Sequence, residues 1–372
     1  MNPAVACPDE NALVQMVEGT LPTDVRADHA RHLDECAACR RVASSLVRLM
    51  SPEENPALAH TLASEHPPAP AASGSRPPSP GGHGFVAGDT VGRYQLERVL
   101  GEGGLGVVWA ARHILTRKPV ALKFTKFDHP ELQKRFLREA RVGGVLRHPA
   151  VVEVHDVFES QPGGPLVMVM DLLHGESLDA LLARRGRLTV PETLYVMHPV
   201  LSALAAAHAL GIVHRDIKPP NIFLEMIPGG GSFRARLLDF GLARLTATEG
   251  AAAQTSALTR EKQLMGTPHY MAPEQLYGEI DIDARTDVWA VGVVFFECLT
   301  GTRPLDGNSV GQILRSLAMR EIPPIATLAG GVPPELAQAI DQSLARDRSG
   351  RTPSILPLLA LTERGLGLPP SV

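Results

Sequence analysis

His214-Arg215-Asp216-Ile217-Lys218-Pro219-Pro220-Asn221 follows an alanine-rich apolar segment that ends at Ala209-Leu210-Gly211, and it precedes Asp239-Phe240-Gly241. Two carboxylates, a carboxamide, a lysine and an arginine are thereby held on two nearby loops. That inventory suits transfer of a phosphoryl group from a nucleotide. Such transfer needs a carboxylate to orient a hydroxyl, oxygens for a divalent cation, and positive charge for phosphate.

Working outward toward the N-terminus, Tyr94 to Leu100 alternates like a strand and runs into Gly101-Glu102-Gly103-Gly104-Leu105-Gly106. Glycines let a backbone approach phosphates and present N–H groups to them. A lone G-x-G-x-x-G is weak, because dinucleotide-binding folds use it too; there, however, the loop opens a helix. Here Val107-Val108-Trp109-Ala110-Ala111 reads as a second strand, and Val120-Ala121-Leu122-Lys123 as a third, ending in lysine. Pro130 to Leu146 reads as a charged amphipathic helix carrying Glu139. Gly143-Gly144 inside it should weaken it by roughly 0.8–1 kcal/mol per glycine relative to alanine. The expectation is a helix that is mobile at rest and is seated by a partner or by phosphorylation. Val151 to Glu159 and Leu166 to Met170 complete the sheet.

Toward the C-terminus, Pro191 to Ala209 reads as the apolar helix that delivers the loop. Pro228-Gly229-Gly230-Gly231, between Asn221-Ile222-Phe223-Leu224 and Arg236-Leu237-Leu238-Asp239, reads as a hairpin lengthened at a surface tip, where insertions are tolerated. Asp287-Val288-Trp289-Ala290-Val291-Gly292 opens the most apolar helix, and Cys298 on it reads as a small buried hydrophobe.

Taken in order from Tyr94 to Leu361 or so, these motifs resemble the eukaryotic-like (Hanks-type) serine/threonine protein kinases of bacteria. The resemblance implies an α+β, bilobal fold: a small β-rich lobe and hinge over 93–173 and a larger helical lobe over 174–361, with a tail over 362–372. It implies that Lys123 contacts the nucleotide α and β phosphates when paired with Glu139, that Asp216 orients the acceptor hydroxyl, and that Lys218 neutralises the γ-phosphate. Asn221 and Asp239 would hold Mg²⁺ or Mn²⁺. The glycine stretch Gly101, Glu102, Gly103, Gly104, Leu105 and Gly106 would cover the phosphates of ATP. Leu100, Val108, Ala121 and Phe223 would sandwich the adenine; Met170 would border it, and backbone groups of Asp171 and Leu173 would bond it. His214 would pack beneath Phe240, and Pro220 replaces a more usual polar residue without harm. Asp239 to Glu274 resembles an activation segment, with Thr267 favouring Ser/Thr acceptors and Thr259 the first-choice phosphosite, served by Arg215. Thr255 and Ser256 are weaker choices. Glu274 and Arg351 would pair, and Asp287 would brace the catalytic loop, all three as structural ions. Each apolar residue taken singly is equally well explained as core.

The first fifty residues differ. Cys7 precedes His32, Cys36 and Cys39, and the last three are spaced i, i+4, i+7, on one helical face. Four N/S ligands are what a closed tetrahedral Zn²⁺ site takes. Short amphipathic helices surround them, and a module this small buries so little that a metal would supply much of its folding free energy. Reduced surface thiols and a solvated histidine are the bland alternative. The order Cys, then His-x-x-x-Cys-x-x-Cys, resembles the zinc-binding anti-sigma-factor domain. That implies a helical protein-binding module over 1–50, possible thiol sensitivity, and His32 over its neighbour His29. Residues 51–92 turn to Pro, Ala, Ser and Gly and read as a tether.

A net charge of −4 gives no reason to expect a nucleic-acid partner. No run approaches the ~20 apolar residues that span a bilayer, and no basic leader precedes an apolar stretch, so a soluble cytoplasmic protein is expected. The reading is a non-specific serine/threonine protein kinase using ATP, acting on protein substrates and on itself, with a further protein partner for the zinc module. The alternatives are a pseudokinase or a zinc-dependent signalling adaptor.

Overall fold

A computed structural model of the chain describes residues 7–8, 12, 16, 21, 23–36, 39–40, 43–44, 84–103, 106–125, 130–161, 164–227, 229, 232–240, 244–245, 268–279 and 281–370. Gly104, Leu105, Thr255, Ser256, Thr259, Thr267 and most of the tether lie outside the described residues. The chain groups into two compact units, residues 69–249 with 354–372, and residues 1–68 with 250–353. No described helix is long and apolar enough to cross a membrane.

The first of these units is built on a six-stranded antiparallel sheet in the order β1-β2-β3-β4-β6-β5. Its strands are β1 (Thr90–Val91), β2 (Tyr94–Gly103), β3 (Gly106–His113), β4 (Pro119–Thr125), β5 (Val154–Glu159) and β6 (Leu166–Asp171). Period-2 alternation decides which side chains meet. Val107 pairs with Phe124, Trp109 with Leu122, Ala111 with Val120, and Leu122 with Val169, so one face is a continuous apolar core. The opposite face brings Val108 beside Lys123 and Ala121 beside Met170. The sheet starts earlier than composition suggests. Thr90–Val91, inside the stretch read as tether, pairs with β2, Val91 is buried, and Phe85 packs on Phe124 with ring centroids 5.2 Å apart. Two apolar side chains with a sheet to cover outweigh the surrounding glycines and prolines.

Helix α2 (Pro130–Val145) lies against β4, β5 and β6. Its two glycines differ. A Cβ on Gly143 would stand 2.6 Å from Val154 Cγ2, whereas nothing lies within 4 Å of one on Gly144. Gly143 is the price of close helix–strand approach. Glu139 on this helix accepts from Lys123 Nζ at 2.7 Å, which ties the helix to β4. Below the sheet, β7 (Gly175–Ser177), β9 (Ile222–Met226) and β10 (Phe233–Leu237) form a second sheet. Helices α3 (Leu178–Arg185), α4 (Val190–Ala209) and α8 (Leu356–Leu366) complete this unit. Thr189 and Glu192 form a capping box that starts α4, whose apolar residues pack on α8 and β10. Strand β8 (Ile212–Val213) then leads into the loop His214–Asn221 and pairs with β11 (Arg244–Leu245).

In the other unit, α1 (Thr23–Glu35) carries His32, and α5 (Arg285–Thr300), α6 (Val310–Met319) and α7 (Pro334–Ser343) form a helical body. Nearly every residue of α5 is buried, and Gly292 admits Ser343 so closely that a Cβ there would meet it at 2.9 Å. Glu274 and Arg351 are buried together, with Arg351 Nη1 and Nη2 on the two carboxylate oxygens at 2.8 and 2.9 Å. Asp287 is fully buried in the first turn of α5.

Candidate active site

Strand β4 aims Lys123 at helix α2. Its Nζ is 2.7 Å from Glu139 Oε1 and 2.6 Å from Asp239 Oδ1. Lys123 and Glu139 are buried, whereas the Asp239 side chain is 41 % exposed. Three charges in one low-dielectric spot shift one another. Burial alone would lower the Lys123 pKa, but the two carboxylates outweigh it and raise it. For Glu139 burial wins over the pull of Lys123, and its pKa goes up. Asp239 is also pushed up by burial, but Lys123 brings it down, to about 2. A carboxyl held low in this way keeps its charge, as a ligand for a hard metal must.

Asp239 is tied in turn to the loop after β8. Its neighbour Leu238 donates from N to Asn221 O at 2.8 Å and accepts from His214 Nε2 at 3.2 Å. Phe240 packs against His214 with the rings tilted by 51° and their centroids 4.5 Å apart, and His214 is fully buried. Within the loop, Lys218 Nζ lies 2.9 Å from Asp216 Oδ1. Asn221 Nδ2 donates to Asp216 O at 2.8 Å and to its Oδ2 at 3.0 Å. Spending the amide nitrogen this way leaves the Asn221 oxygen as its remaining donor atom for a cation. Pro219-Pro220-Asn221 is a single 3₁₀ turn in which Pro220 is exposed, so no backbone bond is lost there. Arg215 and Asp239 both have left-handed backbones, φ 69° and 53°. Non-glycine residues held there cost of order 1–3 kcal/mol each, and both sit beside the reactive groups.

Around Lys123, Gly101 pairs with Val108, Val108 with Lys123, and Ala121 with Met170, so these residues share one face of the sheet. Val108, Met170, Leu173 and Phe223 are half-buried and Leu100 is exposed. The N–H of Asp171 already donates to Glu153 O at 3.2 Å, which leaves its carbonyl as the group a ligand edge could use. Its carboxylate faces away, 2.8 Å from Arg236 Nη2 and 2.9 Å from His155 Nε2. Sequence reading missed Arg236, a buried cation tying β10 to the end of β6; its alternation in a short strand carries no signal of that partner. Gly106 has φ 156°, and a Cβ there would stand 1.7 Å from Phe124 O. This glycine is demanded by the neighbouring strand.

The N-terminal cluster is also assembled. The ligand atoms of Cys7, His32, Cys36 and Cys39 all lie within 4.8 Å of one another, and His29 is not among them. His32 Nε2 is buried with no hydrogen-bond partner. Burial, then the neighbouring Cys36 and Cys7 thiols, push the Cys39 thiol up to about 12. An orphaned imidazole nitrogen facing three crowded thiols fits a thiophilic dication in tetrahedral coordination.

A buried lysine bridging a helix glutamate and a loop aspartate, with that aspartate tied to an Asp-Lys-Asn loop, defines a phosphotransferase-type site. The chain belongs to the protein kinase family: the family model for the protein kinase domain matches residues 94–355. Among curated relatives, the serine/threonine-protein kinase PknA of Mycobacterium tuberculosis is 36% identical over 267 residues, covering 70% of this chain and 58% of PknA. PkaB of Streptomyces coelicolor is 36% identical over 283 residues (72% of this chain, 64% of PkaB), and PknH of Mycobacterium bovis is 36% identical over 267 residues (71% and 42%). The chain thus spans less than two thirds of the length of each.

Proposed function

We propose that this chain is an active serine/threonine protein kinase that transfers the γ-phosphate of ATP to protein hydroxyls, its own included. The observation that carries the reading is Lys123 held between Glu139 and Asp239 while Leu238 and Phe240 bind Asp239 to the Asp216 loop. In this reading Lys123 holds the α and β phosphates, and Glu139 keeps that ammonium in place. Asp216 accepts the hydroxyl proton and orients the attacking oxygen, while Lys218, 2.9 Å from it, offsets charge on the transferred group. Asn221 and Asp239 present hard oxygens that fit Mg²⁺, which when bound neutralises phosphate charge. Adenine is bordered by Leu100, Val108, Ala121, Met170, Leu173, Phe223 and the Asp171 carbonyl. Gly101 to Gly106 covers the phosphates.

Serine/threonine specificity rests on Lys218 and Thr267, and regulation on phosphorylation of Thr259, with Arg215 as the cation proposed to bind that phosphate. The N-terminal segment is a zinc module held by Cys7, His32, Cys36 and Cys39, supported by the orphaned His32 nitrogen.

Mass spectrometry after incubation with Mg·ATP tests the central reading. Wild type is expected to carry phosphate on activation-segment hydroxyls, and Lys123→Met and Asp216→Asn to lose activity by about 10²-fold or more. Unmodified wild type would leave a nucleotide-binding pseudokinase, and wild-type rates in either variant would refute the assigned roles.

A further inference from the structure

The cysteine cluster borders on the helical body that contains α6. Besides closing the four-ligand group, Cys7 forms part of the wall of a cleft of about 1080 Å³. The other walls are chiefly the loop 301–308 and helix α6. Pro8, beside Cys7, is buried.

Three arginines line the cleft. Arg320 is paired with Asp306 at 2.8 Å, and the other lining acid, Glu297, accepts from the Tyr270 hydroxyl at 2.5 Å. Arg303 and Arg315 are half-buried and, among the described residues, have no carboxylate in ion-pair range. His269, 8 % exposed, donates from Nε2 to Gly307 O at 2.7 Å and leaves Nδ1 buried without a partner. The cleft therefore has surplus positive charge and an unused acceptor. Across it stands a cluster that, with Zn²⁺ on three thiolates and a neutral imidazole, carries one net negative charge.

We propose that the metal-loaded N-terminal module docks as one wall of this cleft, so that metal occupancy controls access to the α6 face. The metal holds Cys7 in the four-ligand cluster and places negative charge opposite Arg303 and Arg315. Loss of the metal frees Cys7 and opens the cleft to other partners. This rests on the zinc reading above and adds to it a place where the module works.

Hydrogen–deuterium exchange on the full chain tests it, comparing zinc-loaded with chelator-stripped protein and measuring zinc by mass spectrometry. Amides of 301–308 are expected to exchange about tenfold slower in the loaded protein, less so in high salt. Arg303→Glu with Arg315→Glu is expected to keep one zinc per chain yet exchange at the stripped rate. One bound zinc with no change in 301–308 on stripping overturns the docking while leaving the metal site intact. A chain that binds no zinc overturns the metal reading and the proposal together. Protection that rises with protein concentration assigns the cleft to a second copy instead and overturns the proposal.

Discussion

Replacing Arg351 with methionine tests how the helical body is held together. The Arg351 side chain is fully buried, and its Glu274 partner is 3 % exposed. The guanidinium donates to both Glu274 oxygens, to Ala345 O at 2.7 Å from Nε, and to the carbonyls of Arg285 and Arg346 at 3.3 and 3.2 Å. It also lies 5.0 Å from the Trp289 ring centroid. Methionine retains much of the volume but leaves a buried carboxylate with the Thr286 hydroxyl, 2.9 Å away, and its own backbone N–H. Breaking a buried pair from one side costs about 3–5 kcal/mol. At roughly 2–4 °C per kcal/mol for a domain of this size, the melting temperature should fall by about 6–20 °C. Adding Glu274→Gln removes the stranded charge and should return about 1–3 kcal/mol. The pH dependence has a definite sign. Burial pushes the Glu274 pKa up, but bonding and attraction from Arg351 outweigh it, so the net shift is downward. A depressed carboxyl stabilises the fold above the ordinary glutamate range and loses that contribution as pH falls through its folded value. Without Arg351, burial dominates and the sign reverses, so the variant's deficit should shrink between about pH 7 and about pH 5. Urea unfolding followed by circular dichroism measures both. A deficit under about 1 kcal/mol at neutral pH, or one that grows on acidification, refutes the reasoning.

Gly143→Ala and Gly144→Ala form a matched pair. The first drives a methyl into Val154 and should cost about 1–3 kcal/mol with a loss of kcat/KM as Glu139 is displaced; the second meets open space and should stabilise by about 0.5–1 kcal/mol. Thermal melts and ATP kinetics separate them, and equal effects would contradict the packing. Gly106→Ala should weaken nucleotide binding, because its Cβ would overlap the Phe124 carbonyl; an unchanged ATP dissociation constant by calorimetry would show that the loop relaxes freely. Cys36→Ser with Cys39→Ser should abolish zinc binding by elemental analysis, and a fully retained metal would exclude this ligand set.

The chemistry was legible in the chain because it depends on residue types at short spacings. Asp216, Lys218 and Asn221 share one loop, and His32, Cys36 and Cys39 follow one another at spacings of four and three residues. The strand order after the glycine stretch could be read for the same local reason. Long-range partners were legible only where the family resemblance supplied them, as for Glu274 with Arg351. Lys123 meets Asp239 across 116 residues, and Arg236 meets Asp171 across 65, through folding that no local pattern records. The glycines carry a second demand that sequence alone did not show: Gly143 and Gly106 read as weakness and as phosphate cradle, and each also answers to a neighbouring strand lying too close for a Cβ. Alternation and spacing express the covalent chain's own geometry, so sequence by itself determined the family's reactive groups and their order. Which charge sits beside which, and where a missing methyl is required, is set by contacts between distant segments, and only the tertiary structure decided those.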